Sequence, residues 1–119
     1  KKVVASGYSD FLRVGCLSPL LLPQAAASAG ADLVMVDTAV KDGRPTFDFM
    51  SEAELEQFIS LGHSEGLEVA LAGSIGFAHL DLLKRLQPEI IGVRGIVCGG
   101  DRSNSVRAEL VAQVKKALQ

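Results

Sequence analysis

The feature that most constrains this chain is a set of short apolar runs that do not alternate. "KKVVASGY", "ADLVMVDTA", "LEVALAGS" and "EIIGVRG" are rich in β-branched and aliphatic residues, and each is followed by a segment of helical pattern. A strand apolar at nearly every position is read as buried on both faces, which is the condition of a parallel sheet. Between them, "SPLLLPQAAASAG" reads as a helix with Ser18 as cap and Pro19 in its first turn. Pro23 moves the true helical start to near Leu22. "MSEAELEQFISLGHSEG" carries a Ser51–Glu54 capping box, with Leu55, Phe58, Ile59 and Gly62 on one face. "FAHLDLLKRLQ", stopped by Pro88, and "SNSVRAELVAQVKKALQ" complete the series.

Strand–helix units recurring about every thirty residues make the fold class α/β. Four such units form either a small open sheet or half of a (β/α)₈ TIM barrel, whose full size is roughly 250 residues. The strand ends favour the barrel. "ASGYSD", "VDTAVKDG", "LAGSIG" and "VRGIVCGG" are polar or glycine-rich, whereas the opposite loops "SAGAD", "SEGLE" and "LQPE" are short and plain. Barrels gather their chemistry at the carboxyl ends of the strands, while a doubly wound sheet concentrates it at a switch point. Residues 1–119 therefore read as one half-barrel, and an opening without methionine or leader reads as the middle of something longer.

Composition removes several function classes. Net charge is −2, aromatics are 5% of residues, and no Lys/Arg run exists, which argues against a nucleic-acid surface. No apolar run is long enough for a membrane span and no signal peptide is visible. Cys16 and Cys98 do not make a disulfide framework; they fit a reduced cytoplasmic protein and read as packing residues near the rim. His63 and His79 lie apart and no CxxC or HExxH occurs, so neither a metal nor another cofactor is expected.

Two groups of residues can carry chemistry. Asp37 ends its strand and Lys41 follows within one loop. Asp37 can be a loop cap and Lys41 a solvated lysine, but a carboxylate and an amine converging at a rim can exchange protons. A lysine near apolar walls can also form a Schiff base with a carbonyl, as in a class I aldolase-like lyase. The second group follows the last two strands. Gly73, Gly76, Gly92 and Gly95 let backbone N–H groups approach an anion, Ser74 offers a hydroxyl and Arg94 a planar fork. Glycines that only permit turns are the plainer reading. Asp10 reads as a loop cap, Tyr8 as a wall of the site, Asp101 as a cap of the last helix, and Arg102 as a surface residue or a second anion contact.

The stretches "GYSDFLRVGCLSP", "GADLVMVDTAVKDG", "HSEGLEVALAGSI" and "IIGVRGIVCGGDR" closely resemble the (5-formylfuran-3-yl)methyl phosphate synthases, over essentially the whole chain. This family is a (β/α)₈ barrel about twice as long, so the resemblance implies the C-terminal half. It also implies a lyase of methanofuran biosynthesis that condenses two glyceraldehyde 3-phosphate molecules with loss of phosphate and water. Asp37 and Lys41 fall on the family's proton-transfer acid and lysine. Gly73, Ser74, Arg94 and Gly95 fall on its phosphate-side loops. The family's Schiff-base lysine belongs to the other half, so the resemblance implies that residues 1–119 alone are inactive. The expected partners are a phosphorylated aldehyde and the N-terminal half of the barrel, with self-pairing into a homo-oligomer where that half is lacking. A non-catalytic phosphate-binding half-barrel is the reading from a different class.

Overall fold

The computed structural model describes residues 2–93 and 108–118. Its elements run β1 (Val4–Tyr8), α1 (Phe11–Val14), α2 (Leu22–Ser28), β2 (Leu33–Asp37), α3 (Glu52–Ser64), β3 (Glu68–Leu71), α4 (Leu80–Leu86), β4 (Ile90–Ile91) and α5 (Ala108–Leu118). Short 3₁₀ turns lie at Pro19–Leu21, Thr46–Asp48 and Phe77–His79. The helix ends follow from local chemistry. Ser18 Oγ accepts from Leu20 N at 3.3 Å, and Pro23 falls in the first turn of α2, where its missing N–H costs nothing. Ser51 Oγ accepts from Glu54 N at 3.1 Å while Glu54 Oε1 accepts from Ser51 N at 3.0 Å, so both arms of the capping box form. α4 ends at Gln87, whose φ is +54°, directly before Pro88.

All four strands are parallel and lie in the order β1-β2-β3-β4. The order never reverses, so the described sheet has no switch point of the doubly wound kind. Register divides its side chains into two sets. Ala5, Val34 and Val69 form one row, and Gly7, Val36, Leu71 and Ile91 the next. These rows face the helices, where Val34, Val36, Val69 and Leu71 pack with Leu55, Phe58, Ile59, Leu80, Leu83 and Val114. Burying each such side chain contributes about 1.5–3 kcal/mol, so this layer is the main source of stability. Gly62 brings α3 close to the sheet: a Cβ there would stand 2.6 Å from Val69 Cγ2.

The other face holds the rows Val4–Leu33–Glu68, Ser6–Met35–Ala70–Ile90 and Tyr8–Asp37. Here the expectation of strands buried on both sides needs correction. β2 and β3 are largely buried, but Val4 is 48% exposed, Tyr8 38% and Ile90 46%. Among the described residues, the outer strands β1 and β4 have no neighbour on one side and no helix covers this face.

Candidate active-site rim

Asp37 ends β2 in the same row as Tyr8, on the uncovered face and at the carboxyl end of the strand. The loop that follows turns back on itself, and Lys41 Nζ donates to Asp37 Oδ1 at 3.0 Å, to the Thr38 carbonyl at 2.6 Å and to Thr38 Oγ1 at 3.1 Å. Asp37 Oδ1 also accepts from Thr38 N at 2.7 Å. An ammonium has three N–H groups, and each has an acceptor here. The pair remains open to solvent, with 41% of the Lys41 side chain and 29% of the Asp37 side chain exposed. An ion pair of that exposure contributes only about 0–1 kcal/mol, so stability is a weak reason for its geometry.

Beneath the pair lies a set of buried polar groups. Asp10, which follows β1, is 1% exposed. Its Oδ1 accepts from Ala39 N at 2.7 Å and its Oδ2 from Val40 N at 3.1 Å, so it caps the loop of the neighbouring strand. Burial works against the ionised form, but these two N–H groups, with the Arg13 guanidinium 3.7 Å away, hold the carboxyl below its ordinary range. Arg13 also donates to Asp42 Oδ2 at 2.5 Å, which lowers that carboxyl too. Ser9 N donates to the Asp37 carbonyl at 2.8 Å, and Ser9 Oγ lies 3.1 Å from Thr46 Oγ1. Thr46 Oγ1 in turn donates to the Ala72 carbonyl at 2.6 Å. The carboxyl ends of β1, β2 and β3 are thus tied by side chains as well as by the sheet.

The loop after β3 comes against the same cluster. Gly73 has φ +108°, and a Cβ on it would collide with Thr46 Oγ1 and stand 2.9 Å from Thr38 Cγ2. Ser74 is exposed and keeps a left-handed φ of +49°. Gly76 N donates to His79 Nδ1 at 2.8 Å, closing the loop. The structure therefore brings Asp37 and Lys41 together and sets Gly73 against Thr38 of the same loop. Arg94, Gly95, Cys98, Asp101 and Arg102 lie outside the described residues. Cys16 is exposed and not a packing residue, because the turn after α1 carries it outward. Ser9, Thr38 and Thr46 were not anticipated. Their only signal in the sequence is a hydroxyl beside a strand end, and that is too common to single out.

Among the described residues, no group of three or more His, Cys, Asp or Glu is placed to hold a metal, and no helix is long and apolar enough to cross a membrane. A parallel sheet with helices on one face and its polar groups gathered at the strands' carboxyl ends is an α/β protein with one specialised rim. Within that class the chain belongs to the 4-HFC-P synthase family, whose model matches residues 1–115. It is 63% identical over 119 residues to the (5-formylfuran-3-yl)methyl phosphate synthase of Methanosarcina mazei, covering all of this chain and 51% of the relative. The synthase of the same name from Archaeoglobus fulgidus is 54% identical over 99% of this chain and 50% of its own length. That from Methanocaldococcus jannaschii is 49% identical over 98% and 50%. The chain spans about half the length of these relatives.

Proposed function

We propose that the chain is the C-terminal half of a (β/α)₈ barrel and acts in a (5-formylfuran-3-yl)methyl phosphate synthase. Three observations support the barrel: a strand order without reversal, helices on one face only among the described residues, and relatives of twice the length. The single observation that carries the chemistry is the contact of Lys41 Nζ with Asp37 Oδ1 at 3.0 Å on a carboxyl strand end. Two glyceraldehyde 3-phosphate molecules supply an aldehyde, acidic α-hydrogens and phosphates. A lysine of the other half forms the iminium that acidifies the α-carbon. Lys41, held by Asp37, gives and takes the protons as carbon–carbon bond formation is followed by loss of water and phosphate.

The same contacts favour a proton donor over a nucleophile. A Schiff-base lysine must be free to turn its nitrogen toward a carbonyl carbon, whereas Nζ here is drawn back onto three oxygen atoms of Asp37 and Thr38. The phosphate is assigned to Gly73, Ser74, Arg94 and Gly95. In support, Ser74 holds a backbone conformation that costs a non-glycine residue about 1–2 kcal/mol, and such strain collects at ligand sites. Lys41→Ala in the complete protein is expected to lower kcat on the order of 10²–10⁴-fold with folding intact. Normal turnover of glyceraldehyde 3-phosphate by this variant refutes the assignment. Borohydride trapping with substrate should label a lysine other than Lys41.

A further inference from the structure

The buried polar side chains among the described residues are Ser9, Asp10, Thr38 and Thr46, and all four lie under the rim. Of these, Asp10 is the expensive one. A buried carboxylate is tolerated only when its oxygens are hydrogen-bonded. Both oxygens are, but by the backbone of another strand's loop: Ala39 N on Oδ1 and Val40 N on Oδ2. Those two residues stand between Asp37 with Thr38, which receive the lysine, and Lys41 itself. On the far side of Lys41, Arg13 binds Asp42 while standing 3.7 Å from Asp10. The backbone carrying Lys41 is therefore held before and after it from the first strand's loop.

We propose that Asp10 is a positioning residue for Lys41. By binding the N–H groups of Ala39 and Val40, it fixes the turn that delivers Nζ to Asp37 and Thr38. This rests on the role of Lys41 proposed above. A lysine side chain has four rotatable bonds and its own entropy to lose, so an unanchored loop spreads Nζ over many positions. Misplacement of a catalytic group by about 1 Å costs on the order of 10²-fold in rate.

The test uses the complete protein. Asp10→Ala should lower kcat about 10²-fold with KM little changed. Asp10→Asn keeps an acceptor for one N–H and sets its amide against the other, so it should fall between wild type and Asp10→Ala and serves if the alanine variant does not fold. Lys41 is also labelled with acetic anhydride and read by peptide mass mapping, with exposed Lys84 as internal reference. Faster labelling of Lys41 relative to Lys84, together with the loss in kcat, is the expected result. Unchanged Lys41 labelling in a folded variant overturns the proposal, as does lowered stability with kcat retained. The two failures are separable: normal turnover in Lys41→Ala removes the role of Lys41, whereas unchanged labelling removes that of Asp10.

Discussion

At the scale of single residues, the rim is a set of backbone and side-chain hydrogen bonds that composition only half announces. The Asp37–Lys41 pair was legible, since an acid ending an apolar strand and a lysine four residues on must meet if the loop turns back. The Thr38 carbonyl that accepts from Lys41 at 2.6 Å was not, because a backbone acceptor leaves no mark in the sequence. The glycine at position 73 was legible as a turn, but its second reason lies in packing. Thr46 and Thr38 fill the space where a side chain would begin, and φ is +108°. Gly73→Ala must therefore strain the backbone and push Thr46 away from the Ala72 carbonyl. We expect a loss of about 1–3 kcal/mol in urea unfolding of the complete protein. A change within about 0.5 kcal/mol, the range of an indifferent surface substitution, would show that the loop gives way freely.

At the scale of elements, caps and apolar stripes were the readable part. The reciprocal bonds of Ser51 and Glu54, the proline in the first turn of α2 and the left-handed Gln87 before Pro88 are each local effects of one or two residues. α1 and the 3₁₀ turn at Thr46–Asp48 are too short to leave a period in the sequence. The latch of the β3 loop is another such element. His79 Nδ1 accepts from Gly76 N, so it must be unprotonated, and Phe47 packs on the ring at 4.6 Å between centroids. Burial lowers the pKa of His79 from its ordinary 6.5, only partly offset by Asp48. The unfolded chain then takes up this proton first as pH falls, so it binds more protons than the native state and stability rises with pH. The contribution is complete above pH 6.5 and is lost as pH falls from there through the lower native value. Urea unfolding of the complete protein at pH 7.5 and at successively lower pH should show this loss, and His79→Ala should be less stable at pH 7.5 but flatter below about 6.5. Equal slopes in the two proteins would assign the dependence to another group.

At the scale of the whole molecule, the apolar pattern of the strands asks for more cover than the described residues provide. Strands apolar at nearly every position describe a sheet covered on both sides, and the described chain covers one. Val4, Tyr8 and Ile90 are the residues that register the difference, since they would face a barrel interior and are exposed here. The edges carry the same message. β1 and β4 are the outer strands, and neither shows the proline or inward-pointing charge with which natural edges avoid pairing. Closing a barrel would pair both edges and fill the uncovered face in one step. Expressed alone, residues 1–119 should therefore associate through this face and its edges, or precipitate, and should be inactive. Addition of the other half as a separate chain should restore a soluble one-to-one complex and turnover. Sedimentation velocity over a range of concentrations reads both outcomes. A stable, cooperatively folding monomer of the 119 residues at every concentration would mean that the uncovered face needs no second half, and the half-barrel reading would fall with it.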